Sequence, residues 1–252
     1  MNPEPPKTSM PATDSLQALA GHLRPRLVWV AEARSKTVSD AFISVGEADP
    51  SAFVAQGVIV GNAVFSSADF ITYFPQPFFE SEFFSFRSLA SPELTGTLAR
   101  LYASSMGVLV LAPDDLHCIS SEDDGPTSDC WALLQPEEEP FQSNPSLVRF
   151  LFQGDRLSTT VKGYCFTADG QAILPATIRV ERHSELLHLN LEAEGVHWMG
   201  GPIFSEHGDL VGICSNQEIV RSPNRDRGVG KRLDVTLPPL IAERMHWHDL
   251  TV

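Results

Sequence analysis

The chain has 252 residues, 42% hydrophobic and 20% charged, with a formal net charge of −14 at pH 7, the composition of a folded globular protein with material for one large or two small cores. So acidic a balance excludes a general binder of nucleic acid or anionic membranes, because phosphate would be repelled over most of the surface, and it leaves room for a basic partner. No window approaches the roughly 20 apolar residues of a membrane span, and no cationic start leads into a long apolar run at the N-terminus.

Cys118, Cys130, Cys165 and Cys214 are too scattered for a disulfide framework and contain no Cys-x-x-Cys metal pair. A soluble, cytoplasmic protein with free thiols, no metal and no cofactor is expected. Residues 1–14, with Pro3, Pro5, Pro6 and Pro11 among polar neighbours, cannot bury enough apolar surface to order themselves and predict a disordered tail. Asp14 or Ser15 can cap a short helix from Leu16 to Leu23, and Pro25 stops it before the extended Leu27-Val28-Trp29-Val30.

From Ala41 to Ile71 strands and turns alternate: Ala41 to Val45, a polar turn at Glu47 to Pro50, Gly57 to Val60, a Gly61-Asn62 turn, then Ala63 to Asp69. Short strands so punctuated predict a barrel or sandwich. Phe78 to Phe86 carries phenylalanine on both faces of a strand, which reads as a strand buried on one side and covered by a loop on the other. Gly107 to Leu111 is a further strand. Residues 114–145 change character: Asp114, Asp115, Glu122, Asp123, Asp124, Asp129, Glu137, Glu138 and Glu139, with three prolines, read as an acidic connection between two β units. His117, Cys118 and Cys130 lie in it at spacings that fit no metal motif, and Trp131 to Leu134 reads as a strand crossing into the second unit.

The strand pattern resumes at Leu147 to Phe152, Ser158 to Phe166, Ile173-Leu174, Thr177 to Val180 and Leu186 to Leu191, with a turn at Ala168 to Gln171. His197-Trp198-Met199-Gly200-Gly201-Pro202 then forms a tight glycine turn feeding a hairpin, Ile203 to Ser205 and Leu210 to Ile213, around His207-Gly208-Asp209. Arg221 to Lys231 reads as a polar loop, and Asp234 to Met245 as a last strand running into a C-terminal helix with proline at its start. His246 and His248 would lie on different faces of that helix, so no metal site is expected there.

The Gly200-Gly201-Pro202 hairpin resembles the nucleophile turn of trypsin-like serine peptidases, including HtrA-type members, and the segment Gly57 to Ile71 is similar to their general-base strand. Gly107 to Leu111 resembles the strand that carries the triad acid. The resemblance runs from about residue 15 to 245 and implies an all-β fold of two six-stranded antiparallel barrels, with a short N-terminal helix and a C-terminal helix. It divides the chain into a tail (1–14), a first barrel (15–113), an acidic linker (114–145) and a second barrel with the closing helix (146–252). On this alignment the triad positions are Asp69 for the base, Ser105 (or Met106 on a shift of one) for the acid, and Met199 for the nucleophile.

A thioether has no proton to lose and forms no nucleophilic anion, and a carboxylate of ordinary pKa is a poor base for a hydroxyl at neutral pH. The glycine that points an oxyanion donor in the family is His197 here, whose β-carbon disfavours the required backbone. The expectation is therefore a catalytically inactive homologue, not an enzyme, in which His197, Trp198, Met199, Gly200 and Gly201 form or plug a site for a peptide or protein partner by strand addition. A hydrolase with a relocated nucleophile stays open, with Ser66, Ser67, Ser205 or Cys214 as nucleophile and His197 or His207 as base. So does a structural subunit whose Phe-rich segment sits in a complex.

Overall fold

A computed structural model describes residues 13–32, 55–61, 63–69, 83–92, 95–103, 107–113, 145–167, 169–191, 199–215, 221–222 and 225–252. The expected tail up to residue 12, the strand at Ala41 to Val45, the first half of the Phe-rich segment, the acidic connection and Trp131 to Leu134 lie outside these residues.

Helix α1 (Thr13–Leu23) and a 3-10 turn (Arg24–Arg26) lead into β1 (Leu27–Glu32). Then follow β2 (Ala55–Val60), β3 (Ala63–Ser67), β4 (Phe83–Ser88), β5 (Thr95–Ala103) and β6 (Val108–Pro113). These strands close a barrel in the order β1-β2-β3-β6-β5-β4, antiparallel at every pairing.

The second half holds β7 (Leu147–Leu151), β8 (Ser158–Phe166), β9 (Ile173–Glu181), β10 (Leu186–Leu191), β11 (Pro202–Ser205) and β12 (Leu210–Ser215). It continues with β13 (Arg221–Ser222), β14 (Arg225–Arg232), the single turns α2 (Leu233–Thr236) and α3 (Pro239–Ala242), and β15 (Trp247–Thr251). Pairing of β14 with β12 closes the ring β14-β10-β9-β8-β11-β12, while β7 and β15 extend the sheet outside it in parallel pairings with β12 and with each other. The molecule is thus nearly all β, two six-stranded antiparallel barrels with small helices near each end.

Alternation of side chains along a strand explains the core. In the first barrel Val58 and Val60 join one apolar cluster while Ile59 joins another, and Val108 and Val110 part in the same way from Leu109 and Leu111. One face fills the barrel. The other meets Phe204, Leu210 and Ile213 of the second barrel in a shared seam, joined by Leu23, Leu147, Leu233 and Ile241. β2, β3 and β12 are accordingly buried at every position, which is why apolar residues stand side by side along them instead of alternating with charged ones.

Two expectations change. Arg221 to Lys231 is a strand hairpin, not a loop: Gly228, Val229, Gly230 and Lys231 pair with β10 and β12, and Lys231 and Arg232 are buried, their long stems lying in the fold despite the charge. The C-terminal helical segment is broken by Pro238 and Pro239 into single turns, and the extended β15 follows. His248 therefore stands on a strand, where its Nδ1 lies 3.3 Å from Asp209 Oδ2.

Candidate functional site

The turn Met199-Gly200-Gly201-Pro202 is bolted to both barrels through its backbone. Gln56 N–H donates to the Met199 carbonyl (2.9 Å), Gly200 N–H to the Cys214 carbonyl (2.9 Å), and Cys214 N–H to the Gly201 carbonyl (2.7 Å). Gly200 is left-handed, φ 81°, and a β-carbon there would fall 2.0 Å from the Gln56 carbonyl oxygen and 2.7 Å from Ser66 Oγ. Glycine is thus required twice over, for its φ and for its lack of a side chain. The Ser66 hydroxyl donates to that same Gln56 carbonyl (2.6 Å), and Gln56 Nε2 donates to the Thr167 carbonyl across the seam (3.1 Å). Met199 is half-buried and packs on the first-barrel cluster that includes Ala68.

Asp69 stands just past the end of β3, 8% exposed. Its own N–H donates to Ser67 Oγ (3.1 Å) and the Ala68 N–H to the Gly107 carbonyl (2.8 Å), fixing the strand end against β6. From the second barrel, the Ser215 hydroxyl donates to Asp69 Oδ2. Gly107, at φ 92°, leaves the space that Asp69 Oδ1 and Lys231 Cε occupy: a β-carbon would lie 2.7 Å from the first and 3.2 Å from the second.

Of the residues expected at the site, Asp69, Met199, Gly200 and Gly201 are brought to the seam. Ser105, Met106, His197 and Trp198 lie outside the described residues. Ser215 and Lys231 were not anticipated. They share a face through the pairing of β12 with β14, which reading residues 221–231 as a loop concealed.

The alternative nucleophiles are placed as follows. Ser66 and Ser67 are fully buried and engaged with Gln56 and with the Asp69 N–H. Cys214 is 1% exposed; its contact with the Cys165 thiol, and then burial, push its pKa well above the ordinary thiol value, so the reactive thiolate is suppressed. The Ser205 hydroxyl donates to Asp209 Oδ2 (3.3 Å) and accepts the backbone N–H groups of His207 (3.2 Å) and Asp209 (3.2 Å). It is the main chain of His207, rather than its imidazole, that meets Ser205. Asp209 also accepts from Ser146 Oγ at 2.5 Å, so this hydroxyl group serves to hold the hairpin turn.

No family model matches the chain, and no curated protein matches it. Solved structures do. The Rv3671c protease from M. tuberculosis, in its active form, superposes with a TM-score of 0.51 at 12% identity over 99% of this chain and 96% of that one. Deg5 gives a TM-score of 0.51 at 10% identity over 89% of this chain and 92% of that one. The chain therefore has the fold of the trypsin-like serine proteases. One expectation is corrected by this finding: that the chain is not an enzyme does not stand, because the proteins sharing its fold are serine proteases, one of them solved in its active form. The fold points toward a protease-related protein and, at such low identity, leaves activity to be measured.

Proposed function

We propose that this protease-fold protein captures an extended peptide segment of a partner at the seam between its barrels, adding it as a strand beside the Met199 turn. The observation that carries this reading is the double backbone anchor of that turn, with Met199 held by Gln56 on one side and Gly200 by Cys214 on the other. Strand addition draws its affinity from unpaired main-chain groups of a sheet edge and its selectivity from neighbouring pockets; the anchoring groups are already paired within the fold, so they hold Met199 rigidly as a wall of such a pocket, a role that needs no hydroxyl at position 199. The half-buried thioether of Met199 supplies an adaptable apolar contact for the captured side chain.

The test is incubation of the purified protein with a diverse peptide mixture, followed by mass spectrometry of the solution and of the bound fraction. Enrichment of intact peptides, reduced about tenfold or more by Met199→Arg, supports capture at this turn. New peptide termini would make the protein a hydrolase, and substitution of Ser205 or Ser215 would show whether either is the nucleophile. A bound fraction unchanged by Met199→Arg moves the site elsewhere, and an empty one overturns the reading.

A further inference from the structure

Gln56 is fully buried. On β2 it shares a face with Val58 and Val60, which join the seam cluster, so a carboxamide stands where the pattern calls for another aliphatic side chain. Such a group is costly there unless it is hydrogen-bonded. Its Nε2 donates to the Thr167 carbonyl of the second barrel (3.1 Å). Its main chain meanwhile serves the Met199 turn: the N–H donates to the Met199 carbonyl (2.9 Å), and its carbonyl oxygen fills the space that a β-carbon on Gly200 would need. A single residue of the first barrel thus touches two separate turns of the second.

The other turn, between β8 and β9, is itself closely ordered. Thr167 N–H donates to the Ala172 carbonyl (2.9 Å) and Gly170 N–H to the Thr167 carbonyl (2.8 Å). The exposed Asp169 carboxylate accepts the Thr167 hydroxyl (2.6 Å) and the Gln171 N–H (3.0 Å), and these bonds, the hydroxyl's first, hold its pKa below the ordinary carboxylate value. Gly170, at φ 66°, is buried against the first barrel, where a β-carbon would lie 2.5 Å from Leu89 Cδ2 and 3.2 Å from Leu27 Cδ1. Arg24 donates to Gln171 Oε1 beside it (2.5 Å). We infer that Gln56 is a positioning residue of the Met199 turn: its amide ties the strand that holds Met199 to the β8–β9 turn, so that the seating of that turn on the first barrel fixes where Met199 stands. On the capture function proposed above, on which this consequence alone rests, Gln56 sets peptide affinity without touching the peptide.

The experiment is amide hydrogen exchange followed residue by residue by NMR in Gln56→Met and in Asp169→Ala. Methionine keeps the volume at position 56, and the Thr167 carbonyl keeps the Gly170 N–H, so the fold as a whole should stay near parent stability. Each variant is expected to speed exchange of the N–H groups at positions 56 and 200, which anchor the Met199 turn, by about threefold or more through local opening. The reference is the Leu187–Val180 end of the β9–β10 ladder, which belongs to the interior of the second barrel and not to the seam cluster; its exchange should not change. Parent rates at 56 and 200 in Gln56→Met, or a parallel rise in the reference amides, overturn the positioning role. A response in Gln56→Met without one in Asp169→Ala overturns the link to the β8–β9 turn. Peptide bound from the mixture should fall about threefold or more in Gln56→Met, and binding of parent strength there overturns the effect on affinity. If the parent binds no peptide while exchange responds as stated, the capture function fails and the positioning role stands.

Discussion

A β-carbon at position 200 has nowhere to go. It would meet the Gln56 carbonyl at 2.0 Å on a backbone already at positive φ, and the carbonyl cannot yield because it also receives the Ser66 hydroxyl. Gly200→Ala is therefore expected to cost about 2–4 kcal/mol, read as a lower urea midpoint; a shift corresponding to less than about 1 kcal/mol would show that the turn is looser than its hydrogen bonds imply. Residues of this kind are legible in sequence, because a Gly-Gly-Pro turn states its backbone geometry in residue types alone. Met199 and Asp69 were singled out by the resemblance of their segments to the nucleophile turn and the general-base strand of trypsin-like peptidases. Ser215 and Lys231 were not, because a serine at the end of an apolar strand and a lysine in a basic stretch reach the seam only when the second barrel closes against the first. Residue type names the backbone a position needs, but seldom the partner it will meet.

Among the elements, β14 was the hardest to foresee and is among the most tightly held. Arg232 and Asp234 pair at 2.8 Å with side chains only 2% and 3% exposed. Arg232 also donates to the carbonyls of Glu181 and Ser184 and lies over the rings of Phe150 and Phe152, while Asp234 accepts the Phe150 N–H. Charge that looks solvated in the sequence is here the fastening between β14, β9 and β7. Asp234→Ala leaves a buried guanidinium without its counterion and should cost about 3–5 kcal/mol, measurable by thermal unfolding; a loss below about 1 kcal/mol would show that the pair has ready access to water. The contrast with β2, β3 and β12 is physical. Those strands are buried on both faces, one by barrel and one by seam, so their apolar stretches between glycine turns identified them. β15 escaped notice because it is buried at no position, with the adjacent His248 and Asp249 both exposed, and so resembles ordinary surface.

At the scale of the whole molecule the seam cluster, which draws on both barrels and on α1, makes independent unfolding of either barrel costly. The buried thiols test this. Cys165 and Cys214 are each 1% exposed and Cys214 resists ionisation, so alkylation of both should be slow in the native state and rise together at the global transition. Peptide-level mass spectrometry across a urea series checks it for the second barrel, in which both thiols lie, and labelling of either thiol well below the midpoint would reveal that this barrel opens separately. A second consequence concerns pH. The folded state holds the Cys214 proton above the pH at which the unfolded chain releases it, so this thiol's contribution to stability is full below the ordinary thiol pKa and declines as pH rises beyond it. The order of turns and apolar strands predicted a barrel or sandwich, and the resemblance to trypsin-like peptidases made it two barrels, whereas the closing pairings were not readable, since they join segments far apart in sequence. The parallel match of Trp247–Thr251 with Leu147–Leu151 is the extreme case. It spans nearly the whole second half, and such long-range closure is slow. On the ribosome, β7 must wait through the synthesis of about a hundred further residues for this neighbour. The second half of the molecule is thus a late assembler, dependent meanwhile on whatever shields its apolar strands.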